Sequence, residues 1–183
     1  DLVFDRIDGD TELIGFLSAQ MPELADGESI RRWIETYLLR AGVQASLDNA
    51  TASNLPEPQR GLIYLIRALD TPDTVELTDW LVNGEGQVAD MPVNYYYKDG
   101  AAYESTGGYN GHHVSALVPI EQGLRALREA HPDWYPASRF APFSNAASKL
   151  DAESGAAERY RDILRWPTEL VIAQLSHPFI GDI

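Results

Sequence analysis

Between Gly27 and about Ala45, apolar residues return every three or four positions. Ile30, Trp33, Ile34, Tyr37, Leu38 and Ala41 form one stripe, which predicts an amphipathic helix with Asp26 or Ser29 as its cap. A second helix is predicted to open at Pro58, where a missing N–H costs nothing, and to run through Leu62, Leu65, Ile66 and Leu69. A third starts near Thr71-Pro72 and carries Val75, Thr78, Leu81 and Val82. After Val82 the period is lost. Asn83-Gly84-Glu85-Gly86 reads as a turn, and Val93–Tyr97, Asp99-Gly100 and Ala101–Thr106 read as a small hairpin or an ordered loop. Helical spacing resumes at about Asn110, with Val114, Leu117, Ile120, Leu124 and Leu127 on the buried side, a bend at Pro119 and a stop at His131-Pro132. Asp133–Leu150 reads as a loop packed on the body. Two last helical segments are expected, at about Ala152–Leu164 and, beyond Trp166-Pro167, at Thr168–Ser176.

The pattern is therefore mainly α: antiparallel helical hairpins in one domain, residues 1–183, with a single aromatic-rich hairpin or loop insertion at Asn83–Gly111. Helix packing accounts for the rest of the chain, so the insertion is where function is expected.

Composition narrows the functions available. The 183 residues hold 14 Lys+Arg against 28 Asp+Glu, a formal net charge of −14, with no basic run. A surface of that sign excludes a nucleic-acid partner and disfavours an anionic membrane, both of which need clustered cations. At 44% hydrophobic the chain is too apolar for a disordered acidic tail. There is no cysteine, so disulfides, thiolate metal sites and cysteine nucleophiles are all excluded. No apolar run reaches the roughly 18–20 residues that span a bilayer. Asp1 at the start and an open-ended Ile183 lead us to expect a segment of a longer chain.

Within the insertion, Tyr95-Tyr96-Tyr97, Tyr103, Glu104, Tyr109, Asn110, His112 and His113 are crowded together. The Tyr95–Tyr97 run reads first as glue, rings buried and hydroxyls wet. Gly107-Gly108 allows a tight turn before a helix and sets Tyr109 at the positive end of the helix dipole, where a phenolate or an anionic ligand is stabilised. His112-His113 does not make a metal site, since adjacent helical residues point about 100° apart. No metal or cofactor is expected. Neither GxSxG, GxxxxGK[ST] nor a strand-linked GxGxxG occurs.

The segment Asp99-Gly100-Ala101-Ala102-Tyr103-Glu104-Ser105-Thr106-Gly107-Gly108-Tyr109-Asn110 resembles a signature of the heparinase II/III-like polysaccharide lyases, a superfamily that includes oligoalginate lyases. Leu2-Val3-Phe4-Asp5 with Ile30-Arg31-Arg32, Ser53-Asn54-Leu55-Pro56-Glu57-Pro58-Gln59, and His177-Pro178-Phe179-Ile180-Gly181-Asp182 resemble further landmarks in the same order. Thr106-Gly107 stands where Ser-Pro is common. The resemblance implies the later part of an (α/α) toroid, with the family's β-sandwich portion outside this chain as its partner. It also implies a periplasmic or secreted setting and an acidic polysaccharide or oligosaccharide as substrate.

The implied reaction is β-elimination. A uronate C5 proton is poorly acidic beside a carboxylate, so a site must neutralise that carboxylate and stabilise the developing enolate. By the resemblance Asn54 would do this, and Tyr109 would carry the proton to the leaving oxygen and serve as the base at C5. Gln59, Tyr103, Glu104, Asn110, His112 and His113 are the expected substrate-binding residues. A cleft for a polyanion should be locally positive, so the few bases, Arg31, Arg32, Lys98 and Arg139, must be gathered there or supplied by the remainder of the enzyme. The competing expectation is a non-catalytic helical domain that binds sugar or protein through the aromatic loop.

Overall fold

A computed structural model of the chain describes residues 2–50, 54–103, 107–140 and 156–169. These residues are mainly helical, and the only sheet-like pairing among them is one antiparallel bridge, Tyr96 to Ala102. The chain divides into two compact units, Asp1–Ala50 and Thr51–Ile183.

The first unit holds α1 (Leu2–Gly9), α2 (Thr11–Gln20), α3 (Gly27–Ile34), a π-helical turn (Glu35–Arg40) and α4 (Ala41–Leu47). Its core is small: Ile7, Leu24 and Ile30 are buried, with Leu13, Ile14, Leu17, Met21, Trp33 and Ile34 packed around them. Asp26 caps α3. Its Oδ1 accepts the Ser29 N–H at 2.7 Å, and Ser29 Oγ returns the favour to the Asp26 N–H at 3.1 Å. Hydrogen bonds from the Ser29 backbone and side chain hold the Asp26 carboxyl below its ordinary range. The apolar stripe is cut short, because Tyr37 and Leu38 are 62% and 55% exposed. They lie in the π turn, whose wider winding rotates them off the line set by Ile30 and Ile34.

The second unit holds α5 (Glu57–Leu69), α6 (Thr74–Asn83), the short α7 (Met91–Asn94), the long α8 (Gly107–Ala130), α9 (Ala137–Phe140) and α10 (Ala156–Glu169). Its core is Leu62, Ile63 and Ile66 of α5, Leu81 and Val82 of α6, Leu117, Ile120 and Leu124 of α8, and Ile163 of α10. Helices α5 and α6 form an antiparallel hairpin. The Gln59 side chain, near the start of α5, donates to the carbonyl of Gly86, just beyond the end of α6, at 3.2 Å. Helix α8 runs parallel to α5. Gly123 faces Ile63 at mid-length, and His131, just past α8, bonds Asp70, just past α5, at 2.7 Å. A Cβ on Gly123 would lie 2.5 Å from Ile63 Cγ1, so glycine is what allows the two helices to approach.

Three boundaries differ from expectation. Helix α8 begins at Gly107, so the two glycines form its first turn instead of preceding it. Helix α10 continues through Trp166-Pro167 to Glu169, the last residue described there. The stretch expected as loop after Asp133 contains α9, whose Phe140 is fully buried against Tyr135. Tyr135 in turn bonds Thr74 at 2.7 Å. Residues 141–155 and 170–176 of those expectations lie outside the described residues.

Candidate functional site

The insertion is built against the ends of α6 and α8. After α6 the chain turns back on itself, with the Val88 and Ala89 N–H groups donating to Leu81 and Val82 carbonyls. The expected hairpin shrinks to one bridge flanked by two bonds, Tyr97 N–H to Ala101 O at 2.8 Å and Tyr103 N–H to Tyr95 O at 3.2 Å. Gly100 closes the tip with φ of 92°, its backbone pressed against the main chain at Asp162 and Ile163 of α10. In this register Tyr96 and Ala102 share one face, and Tyr95, Tyr97, Ala101 and Tyr103 share the other. Two different environments follow.

The inner face is tied to α8. Tyr96 is 2% exposed, and its hydroxyl and His113 Nδ1 share a hydrogen bond of 2.8 Å, the rings meeting edge to face at 5.4 Å. The Ala102 N–H points away from the Tyr96 side of the bridge, so the bridge cannot use it. Asn110 Oδ1 accepts it at 2.8 Å. Asn110 is 1% exposed. Both ties come from the first two turns of α8.

The outer face is open to water. Tyr97 and Tyr103 are each 52% exposed and pack edge to face with centroids 4.7 Å apart. They are diagonal neighbours across the bridge, and the small Ala101 opposite Tyr97 leaves room for the contact. Tyr95 Oη donates to Gln87 Oε1 at 2.8 Å, which anchors the start of the loop.

The remaining expected site residues are distributed as follows. Tyr109 belongs to the first turn of α8, and its side chain lies outside the described residues, as does Glu104. His112 is exposed while His113 is buried, the two side chains pointing about 100° apart around α8. Asn54 is exposed at the bend before α5, where its carbonyl accepts the Glu57 N–H at 2.9 Å. Gln59 donates to Gly86, and its Oε1 is buried with no hydrogen-bond partner. Asn54 and Tyr109 lie toward the same end of the parallel helices. Measured back from the Ile63–Gly123 contact, α5 extends about 9 Å and α8 about 24 Å at the ordinary helical rise.

Sequence reading treated Tyr97 as glue. The signal that separates it from Tyr96 is the alternation of a strand about the Asp99-Gly100 turn, which sends Tyr96 inward and Tyr97 outward. Tyr160 on α10 is pushed up to about 12 by burial and by the negative Glu121. Glu121 is itself buried and holds Arg125 at 2.9 Å.

Among the described residues no three His, Asp or Glu side chains are grouped to hold a metal ion, and no helix is long and apolar enough to cross a membrane. Compared with known proteins, the chain matches no family model, no curated protein and no solved structure.

Proposed function

We propose that this chain is part of a polysaccharide lyase of the heparinase II/III-like kind, acting on a uronic-acid glycan by β-elimination. Helices α5, α6 and α8, alternating in direction, would be successive members of an (α/α) toroid. One observation carries the reading: the aromatic loop is fastened by two side-chain ties, Tyr96 to His113 and Asn110 to Ala102, onto the first turns of the helix that bears Tyr109. Such fastening supports preorganisation of the segment bearing the tyrosine motif, and preorganisation is what proton transfer at a fixed point requires.

In the proposed reaction, Tyr109 removes the C5 proton and the C5–H electron pair becomes the C4=C5 double bond. The C4–O bond breaks with its pair, and the departing oxygen takes up a proton through the same phenol. Asn54, exposed and with its side chain free of hydrogen bonds among the described residues, meets the substrate carboxylate as charge moves onto it. A periplasmic or secreted setting and a β-sandwich partner belong to the same proposal. The test follows ultraviolet absorbance of the unsaturated uronate with the natural full-length protein on alginate, heparin and related glycans. Tyr109→Phe is expected to lower the rate at least about a hundredfold. Product formation at the wild-type rate in this variant would rule out the catalytic role.

A second reading, a non-catalytic glycan- or protein-binding domain, is favoured by the half-exposed Tyr97–Tyr103 pair. Binding of a glycan with no gain in absorbance on any of the panel would select it.

A further inference from the structure

We propose that Tyr97, Tyr103 and Lys98 form a binding platform for one uronate residue of a glycan, one ring stacking on the apolar C–H face of the sugar, the inclined second ring flanking it, and the ammonium taking its carboxylate. The proposal rests on the glycan-directed function above and names a subsite within it.

Three features of the loop carry it. First, the rings are exposed without being loose. Each is 52% exposed, yet their edge-to-face contact at 4.7 Å and the bonds Tyr97 N–H to Ala101 O and Tyr103 N–H to Tyr95 O fix both backbone positions. An aromatic corner held open in this way loses little side-chain freedom when a sugar ring packs into it.

Second, the loop carries a cation that no carboxylate among the described residues pairs with. Lys98 is exposed at the tip between the two tyrosines in sequence and makes no ion pair among the described residues. Arg31, Arg60, Arg125 and Arg139 each already hold a carboxylate. The neighbouring Asp99 is exposed as well, and its Oδ1 is engaged by the Ala101 N–H at 3.0 Å. In a chain of net charge −14, an exposed lysine in the same short loop as two open rings favours a ligand that is apolar on one face and anionic at one edge. A pyranose uronate has that shape.

Third, the platform is coupled to the motif helix. Ala102, next to Tyr103, is the residue that Asn110 of α8 holds. A sugar on the rings is therefore presented at the end of α8 where Tyr109 lies.

Calorimetric titration of the Tyr109→Phe protein with saturated tetrasaccharides of alginate, heparin and hyaluronan, beside neutral cellotetraose, tests this. Uronate binding is expected. Tyr97→Ala and Tyr103→Ala should each raise Kd about tenfold, whereas Tyr97→Phe and Tyr103→Phe keep it. Lys98→Gln should narrow the preference for uronate over the neutral sugar and flatten the dependence on salt. Thermal melts confirm that each variant is folded. Alanine variants that bind as tightly as their parent, or a folded parent that binds no uronate tetrasaccharide, overturn the platform. The two proposals fail separately. No absorbance on any glycan, with binding that still depends on Tyr97, rejects the lyase and keeps the platform. Turnover by the otherwise wild-type protein with a KM unmoved by Tyr97→Ala does the reverse.

Discussion

Asn110 Oδ1 accepts the Ala102 N–H at 2.8 Å, an amide that the Tyr96–Ala102 bridge cannot itself satisfy. Asn110 is almost wholly buried, so its removal strands a donor away from water. Asn110→Ala should destabilise the protein by about 1–3 kcal/mol in chemical denaturation. The same variant should raise hydrogen exchange at Ala102 more than at the core amides of α5. Unchanged exchange at Ala102 would show that the loop is held by other means.

The Tyr96–His113 tie separates into a polar part and a packing part. Tyr96→Phe removes only the hydroxyl and should cost about 1 kcal/mol. Tyr96→Ala also empties a site that is 2% exposed and should cost about 3–5 kcal/mol, as large aromatic truncations do. Equal losses for the two variants would mean that the ring contributes no packing.

Much of the helical frame is legible in the sequence because it depends on local period. Leu62, Ile66, Leu69, Leu117, Ile120, Leu124 and Leu127 are buried where the three-and-four spacing puts them. The exceptions have local causes that a period does not encode. Tyr37 and Leu38 leave the stripe at a π turn, and Pro167 lies within α10. The site is less legible than the frame. The crowding of Tyr95, Tyr96 and Tyr97 marks the loop, but which ring faces water depends on register against Ala101–Tyr103, a pairing across a turn. Asn110 was expected to meet substrate. In the fold its Oδ1 holds the Ala102 N–H, a role that only the loop's path reveals.

Asp79 should make stability fall in acid. Hydrogen bonds from Arg139 and Asn83 hold its carboxyl below the ordinary value, with Arg139 Nη2 2.7 Å from Oδ2. A depressed folded value means that the contribution is complete above the unfolded value and is lost as pH falls through the folded one. Below about pH 4 the wild type should therefore lose stability more steeply than Asp79→Asn, which has no proton to gain. Parallel denaturation midpoints from pH 6 to acid check this, and identical slopes would remove Asp79 from the account.

Gly123 tests the packing that sets α5 beside α8. Alanine is the better helix former, so Gly123→Ala would stabilise an isolated helix. Here the added methyl would stand 2.5 Å from Ile63 Cγ1 and 3.4 Å from Arg67 Cδ. The arginine side chain is flexible and can move aside, but Ile63 is 0% exposed and has nowhere to go. The clash should therefore win, with a net loss of about 1–3 kcal/mol. Ile63→Ala alone leaves a cavity and is also destabilising. Because the two changes exchange volume at one point, the double variant should be more stable than the sum of the single losses predicts. A strictly additive cycle would show that the helices are not in contact at this point.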